Sequence, residues 1–231
     1  MVAWALTSLP FLDLPFRPAQ TDFRLHTQNL VFIVLQEHEE SYNITRNLQN
    51  FFGKHISVVR IPKVTRGAVE TVLAAKDHIG YKEELIISDS DHFFDGLLYY
   101  KTIKDKPKDV VGIIPVFKPP NEEPKWSYTL FDKNHIALAV GEKDPLLAKK
   151  GAYANIGAYY FLSGKAFIAE AEAMIAENDV YGESGKQEFY IAPLYDRLIK
   201  KGEKVEVSIL PKVWGLGTPR DLEFFLQTYQ S

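Results

Sequence analysis

The sequence predicts an α/β protein built on a mostly parallel β-sheet with helices packed against it, and three observations carry that expectation. Strand-like and helix-like segments alternate through the first half, which implies right-handed βαβ crossovers. The strand-like segments are unbroken Val/Ile/Leu runs, as buried parallel strands are. One of them, Leu85-Ile86-Ile87, runs straight into Ser88-Asp89-Ser90-Asp91-His92, and open α/β sheets gather ligands just beyond the carboxyl ends of such strands.

In chain order, Asn29 to Gln36 reads as a buried strand, Tyr42 to Phe52 as a helix and Ile56 to Ile61 as a second strand. Thr65-Arg66-Gly67 leads into a helical pattern over Ala68 to Ile79, where Val69, Val72, Leu73 and Lys76 recur at helical spacing and Gly80 supplies a stop. Val110 to Phe117 is a strand, and Lys118 to Pro124, rich in proline, a surface loop. Ser127 to Phe131 and Ile136 to Val140 flank Asp132-Lys133-Asn134 as a hairpin. Asn155 to Leu162 reads as a strand, Gly164 to Ala176 and Glu188 to Lys201 as helices, and Val205 to Leu210 as a strand. The last helix is Pro219 to Thr228, with Thr218 as its cap. Trp126 and Tyr128, on a period-two strand, read as core or pocket-wall aromatics.

The chain has 231 residues, 46% hydrophobic and 25% charged, enough to bury a substantial core. Its net charge of −3, from 27 basic and 30 acidic residues, comes without a dense Lys/Arg cluster, so long nucleic acid is not an expected partner. With no cysteine there are no disulfides and no thiolate metal sites. The apolar start Met1 to Leu12 lacks a basic n-region and is interrupted by Asp13. No run approaches the roughly 20 apolar residues of a membrane span. The expectation is a cytoplasmic protein with no membrane partner.

Asp89 and Asp91 place two like charges at i and i+2, which repel unless something positive separates them. A hard divalent cation such as Mg²⁺, which favours oxygen ligands and phosphates, is a natural partner. The alternative is that both acids cap the following turn and helix, as Asp and Ser often do. His92 reads either as a substrate-positioning residue or as a hydrogen-bonding member of the loop, the second being favoured.

Seven segments in order complete a pattern: Thr65 to Ala75, Leu85 to His92, Lys125-Trp126-Ser127-Tyr128, Glu142-Lys143, Asn155 to Phe161, Glu188-Phe189-Tyr190 and Trp214 to Pro219. In this the chain, from about Leu30 onward, resembles the sugar-nucleotidyltransferase-like proteins of the GT-A-like superfamily, in the branch found among surface-polysaccharide genes. The resemblance implies a Rossmann-like fold in one domain over residues 1–231, with an atypical segment 1–28, a nucleotide-binding half 29–117 and a sugar-binding half 118–231. It implies a nucleoside triphosphate and a sugar phosphate as substrates, joined by in-line nucleotidyl transfer with release of pyrophosphate, and Mg²⁺ or Mn²⁺ as cofactor.

Residue by residue, the resemblance puts Asp91 at the metal and catalytic position with Asp89 beside it. Gly67 and Ser90 fall on the nucleotide side, and Glu142, Lys143 and Gly157 on the sugar side. Taken singly, Gly67 also reads as a helix-start turn, Glu142-Lys143 as a solvated pair and Gly157 as a close approach of strands. Two departures stand out. The family's first strand, glycine-rich basic loop and Pro-Lys-Pro segment have no counterpart: no glycine precedes Leu30, the basic residues there are Arg17 and Arg24, and Met1 to Leu9 matches the helix that follows Pro-Lys-Pro. The expectation is therefore a chain truncated at its N-terminus by one strand and one loop, with a completing partner chain or a homo-oligomer as candidate partners. In addition, Gly215 stands where better-known nucleotidyltransferases place a second metal-binding Asp. A binding module that retains a nucleotide-sugar pocket without chemistry, and a GT-A-type glycosyltransferase using Asp89-Ser90-Asp91, remain as alternatives.

Overall fold

The computed structural model describes residues 4–7, 30–182 and 184–229, the first stretch by its backbone. Strand β1 (Trp4–Thr7) and β2 (Val31–Leu35) are followed by helices α1 (Gln36–Tyr42) and α2 (Ile44–Phe52), β3 (Ser57–Ile61) and α3 (Ala68–Leu73). Then come β4 (Leu85–Asp89), β5 (His92–Phe94), α4 (Gly96–Asp105) and β6 (Val110–Phe117). The hairpin β7 (Ser127–Phe131) and β8 (Ala137–Glu142) leads to α5 (Pro145–Lys149), β9 (Tyr153–Asn155) and β10 (Ala158–Phe161). Helices α6 (Gly164–Ala176) and α7 (Ala192–Lys200), β11 (Lys204–Ile209), β12 (Val213–Gly215) and α8 (Pro219–Thr228) complete the order.

Ten strands form one sheet in the order β3-β2-β1-β4-β10-β6-β9-β7-β8, with β11 added on β6. It is mostly antiparallel, which corrects the parallel sheet expected from the sequence. Among the described residues only β2–β3 and β6–β11 pair in parallel. The alternation of strands and helices gave the direction of β2, β3, β4 and β6 correctly, since these four all run one way. It could not say what lies between them. β1 sits antiparallel between β2 and β4, and β10 antiparallel between β4 and β6, so co-directional strands are separated by strands of the opposite sense. Over Trp4–Thr7 the N-terminal segment is thus strand rather than the helix expected for Met1 to Leu9; the rest of 1–28 lies outside the described residues.

Local chemistry explains where other elements depart from expectation. Asn43, left-handed at φ 51°, divides the expected helix 42–52 into α1 and α2, a conformation that Asn tolerates better than most residues. The helix from Ala68 shortens to α3 and a 3₁₀ turn at Lys76–His78. Helix α7 begins at Ala192 rather than Glu188 because Glu188 exchanges backbone hydrogen bonds with Tyr181 and Phe189 pairs with Arg66 and Val69. The strand expected over Asn155 to Leu162 breaks at Ile156-Gly157. Opposite the break, Pro115 sits in β6 between the residues that pair with β10 (Gly112, Ile113) and those that pair with β9 (Val116, Phe117). A proline N cannot join a ladder, so the handover from one partner strand to the next falls where the donor is missing.

The core lies on both faces of the sheet. On one, Ile33, Ile87 and Phe161 pack with Val69 and Val72 of α3, Phe167 and Ala171 of α6, and Leu194 and Leu198 of α7. On the other, Ile86, Ile113 and Tyr160 meet Tyr99 and Ile103 of α4. Each fully buried side chain of this size contributes about 1.5–3 kcal/mol. The buried tyrosines satisfy their hydroxyls on the strands, Tyr99 on the Ile113 carbonyl (3.1 Å) and Tyr195 on that of Tyr160 (2.8 Å). Among the described residues no helix is long and apolar enough to cross a membrane.

Candidate functional site

The carboxyl end of β4 delivers Asp89 to the floor of a cavity of about 760 Å³. Its walls come from the ends of β2 and β3 at Leu35 and Ile61, the Thr65–Ala68 turn, Tyr159 of β10, and the segment from Lys186 to Ile191. Asp89 is fixed at both backbone flanks. Its residue partner in β1 is Trp4, and its N–H donates to the Gly157 carbonyl at 2.6 Å. The carboxylate is less well served, because Oδ1 is buried and has no hydrogen-bond partner. Burial accordingly pushes the Asp89 pKa up to about 7, opposed by nearby His92 and reinforced by Asp91 and Glu142.

Asp91 follows two residues further on, exposed, with its Oδ1 2.7 Å from Nδ1 of His92. That partner, together with the His92 charge, holds the Asp91 carboxyl below its ordinary range despite partial burial. The His92 pKa moves the other way: burial lowers it, but Asp91, Asp89 and Asp221 more than offset this and raise it. Ligand atoms of Asp89, Asp91 and His92 all lie within 4.8 Å of one another. An orphaned buried carboxylate oxygen beside a second carboxylate is a donor set that suits a hard divalent cation. Ser90, between the two acids, is exposed, and neither it nor Asp91 lines the cavity.

Gly215 pairs with His92 across the β5–β12 ribbon, and the Leu216 N–H donates to the Asp91 carbonyl at 2.6 Å. A Cβ on Gly217 would lie 3.3 Å from Asp91 Oδ2. The Trp214–Thr218 segment is therefore laid directly against the acidic cluster, but at Gly215 it brings no carboxylate.

Two of the glycines singled out by sequence have clear steric reasons to be glycine. Gly67, at φ 144°, lies between two hydrogen bonds to the Phe189 backbone: Val69 N–H to Phe189 O, and Phe189 N–H to Arg66 O, both 3.0 Å. A Cβ there would be 2.5 Å from the Phe189 nitrogen. Inside the turn, Thr71 Oγ1 donates to the Gly67 carbonyl (3.1 Å) and lies 2.5 Å from Thr65 Oγ1. Gly157 is buried, and a Cβ there would be 2.6 Å from Cγ of Asp89. The missing side chain is what lets the Asp89 carboxylate occupy its place.

Glu142 is the last residue of β8, and Lys143 follows it. Burial pushes the Glu142 pKa up to about 7, against the pull of Lys143 and of the nearby Ser127 hydroxyl, with Glu188 reinforcing the rise. Lys143, in the left-handed region at φ 50°, turns its Nζ onto the Tyr190 hydroxyl at 3.2 Å and over the ring at 5.3 Å. That hydrogen bond outweighs partial burial and raises the Lys143 pKa. Through Tyr190, Lys143 reaches the cavity wall, although neither it nor Glu142 lines the cavity.

Sequence reasoning gave no role to Tyr159, Lys186, Glu188 or Tyr190, all of which line the cavity. Three belong to segments whose order it recognised, but whether a strand residue faces a cavity depends on register, which the break at Ile156-Gly157 resets. It also missed Arg197 of α7, which pairs with Glu177 (2.8 Å), Asp179 (3.0 Å) and Glu170 (3.4 Å) and so anchors the segment carrying the wall residues Asn178 and Val180.

The fold is shared with solved sugar nucleotidyltransferases. The nucleoside-diphosphate-sugar pyrophosphorylase of Vibrio cholerae RC9 superposes with a TM-score of 0.66 at 20% identity, over 86% of this chain and 80% of that one. The T. maritima inositol-1-phosphate CTP transferase gives 0.58 at 13% identity over 82% and 70% of the two chains. A Bacillus anthracis protein assigned as a glucose-1-phosphate thymidylyltransferase, solved with sucrose, gives 0.59 at 16% identity over 86% and 77%. No protein-family profile matches the sequence, and no curated protein matches it.

Proposed function

We propose that this chain is a sugar-nucleotidyltransferase-like protein that binds a nucleoside triphosphate and a sugar phosphate in the cavity beyond β4, in a single domain. The observation that carries the reading is Asp89: a carboxylate oxygen buried without a partner, at the carboxyl end of a central strand, opening on a cavity of about 760 Å³. In this reading Gly67 and Ser90 contact the nucleotide, Glu142, Lys143 and the Gly157 backbone contact the sugar phosphate, and Asp89 and Asp91 hold Mg²⁺ or Mn²⁺. A bound cation would neutralise charge on the phosphates during in-line transfer. The chain's own groups do the rest. Asp91 is kept ionised by His92 and ready to ligate. Glu142 offers an acceptor to a sugar hydroxyl, and the ammonium of Lys143, braced on Tyr190, meets an anionic substrate. The setting is a cytoplasmic pathway of surface-polysaccharide synthesis.

The test is pyrophosphate release from a panel of nucleoside triphosphates with sugar 1-phosphates and Mg²⁺. Turnover that Asp91→Ala abolishes, in a protein that still melts cooperatively, is the expected result. Transfer from a nucleotide sugar without pyrophosphate release would replace the reading with a glycosyltransferase.

A second reading, binding without turnover, is favoured by one feature of the cavity. Nucleotidyl transfer needs cations and backbone N–H groups on the triphosphate. Of the two cations lining the cavity, Arg66 is committed to Glu70 through Nε (3.1 Å) and a terminal nitrogen (3.0 Å). Heat on titration with a nucleotide sugar, without any turnover, is its signature.

A further inference from the structure

Charge in the cavity is unevenly met. Four charged residues line it: Asp89, Glu188, Arg66 and Lys186. The two acids repel a phosphate-bearing ligand unless cations answer them. Arg66 answers little, because its guanidinium is bound to Glu70 through two nitrogens and lies 4.9 Å from the centre of the Phe189 ring. Lys143 stands outside the lining, with its Nζ on the Tyr190 hydroxyl. Lys186 differs from both. It is exposed, and its side chain makes no hydrogen bond or ion pair among the described residues.

The backbone under that uncommitted side chain is held in place. Lys186 belongs to a hairpin whose base is closed by two hydrogen bonds, Tyr181 N–H to the Glu188 carbonyl (3.0 Å) and Glu188 N–H to the Tyr181 carbonyl (2.9 Å). The loop turns at Gly182, φ 115°, and Gly185, φ 80°, backbone conformations that favour glycine. At Gly182 the turn is also tight, since a Cβ there would lie 3.0 Å from the Lys186 carbonyl oxygen. Both sides of the base are anchored. Phe189 N–H donates to the Arg66 carbonyl at 3.0 Å, which ties the hairpin to the Thr65–Ala68 turn. On the other side the Tyr181 hydroxyl donates to Asp179 Oδ2 at 3.3 Å, and Asp179 pairs with Arg197 of α7 at 3.0 Å.

We infer that Lys186 binds the phosphate groups of the ligand, and that the Tyr181–Glu188 hairpin holds it at the cavity wall for that purpose. The inference rests on the reading of the cavity as a nucleotide site, and it names the uncommitted cation that such a site requires. An ammonium is a compact charge on a flexible stem, so it can follow phosphate oxygens without the fixed fork geometry of an arginine. Hydrogen bonds between such charged partners are the strong ones.

The experiment is titration calorimetry on the full chain with Mg²⁺, comparing the unsubstituted protein with Lys186→Met and Lys186→Arg. Lys108→Met, which removes an exposed lysine just before β6 at the opposite end of the sheet, is the control. The probes are ATP, CTP, GTP and UTP, each beside its nucleoside, and inorganic tripolyphosphate, which has neither base nor sugar. Lys186→Met is expected to bind the preferred triphosphate and tripolyphosphate about tenfold or more weakly, as loss of a charged hydrogen bond does, and to bind the nucleoside as before. Lys186→Arg should recover most of that loss. Added salt should weaken triphosphate binding more in the unsubstituted protein than in Lys186→Met. Equal triphosphate affinity in Lys186→Met overturns the role of Lys186 and leaves the nucleotide reading standing. An equal loss in Lys108→Met reduces the effect to net charge and overturns it too. Tripolyphosphate binding that Lys186→Met weakens, with no nucleotide bound, keeps the lysine's role and ends the nucleotide reading. Binding of no probe at all ends both.

Discussion

At the scale of single residues, the site is defined by carboxylates held where water cannot fully serve them. Gly157 and Asp89 are two halves of one steric arrangement. Gly157→Ala is expected to destabilise the protein by about 1–3 kcal/mol, as overpacking does. Asp89→Ala removes the two nearest clashing atoms, so the same substitution in that background should cost less; a double-mutant cycle of thermal melts that proves additive would refute the arrangement. Glu142 gives a pH-dependent prediction. Its ordinary value is 4.5 and its folded value about 7, so folding takes up a proton between them. The neutral form's stability is therefore fully present below the unfolded pKa and is lost as the pH rises through about 7. Glu142→Gln should stabilise the protein at pH 8 by about 1–3 kcal/mol and leave it unchanged at pH 4, as read from urea melts. The acids themselves were legible in the sequence, because Asp89 and Asp91 follow an apolar run that can only be a buried strand. The buried hydrogen-bonded set of Thr129, Asn155 and Ser127 was not, since each is an ordinary polar residue until three strands bring them together.

At the scale of elements, what the sequence showed best were segments whose chemistry is local. Strand β6 and helices α6 and α8 have the bounds expected from their patterns, and Thr218 caps α8 by accepting the Asp221 N–H at 3.2 Å. Helix α4 was missed although Asp95, its N-cap, accepts the Leu97 N–H at 2.9 Å; the Asp that signals this helix sits close behind the Asp-rich strand end and was absorbed into it. Elements shaped by distant partners were misjudged, such as the first turn expected of α7, pulled into pairing with Tyr181 and Arg66. The ion-pair set on Arg197 belongs to this scale, because it ties α7 to α6 and to the segment entering the cavity wall. The Arg197 side chain is 16% exposed and Glu170 11%, while Glu177 is at the surface. Arg197→Met is expected to cost about 1–3 kcal/mol, less than the loss of one partner of a fully buried pair. It should also loosen the wall, seen as faster hydrogen exchange at Val180 and Tyr181. Unchanged exchange there would reduce the network to a tie between helices.

At the scale of the whole molecule, the sheet's continuity depends on β1, an interior strand of four residues. β2 and β4 run the same way but lie two strand spacings apart, roughly 9–10 Å, too far to hydrogen-bond. β1 fills the gap, with Ala5 opposite both Phe32 and Ser88. The β2–β3 pair therefore joins the remaining strands of the sheet through the backbone of β1, whereas β4, β10, β6 and β11 are joined directly. Side-chain packing supplies a second connection, because Val31, Ile33 and Leu35 share a core with α3, α6 and α7. The two connections separate under a substitution that removes the ladder and leaves the packing. Ala5→Pro takes away a backbone donor and forces a ring into a strand with neighbours on both sides, where proline is not tolerated. Each lost ladder bond removes about 0.5–1.5 kcal/mol. The amides of β2 and β3 are expected to exchange markedly faster in the variant, while those of β10, β6 and β11 keep their protection, so that the sheet opens in two stages where the unsubstituted protein opens in one. Uniform loss of protection across the sheet would mean that the shared core, and not β1, couples its two parts. Retained protection in β2 would mean that β1 is not paired there in solution.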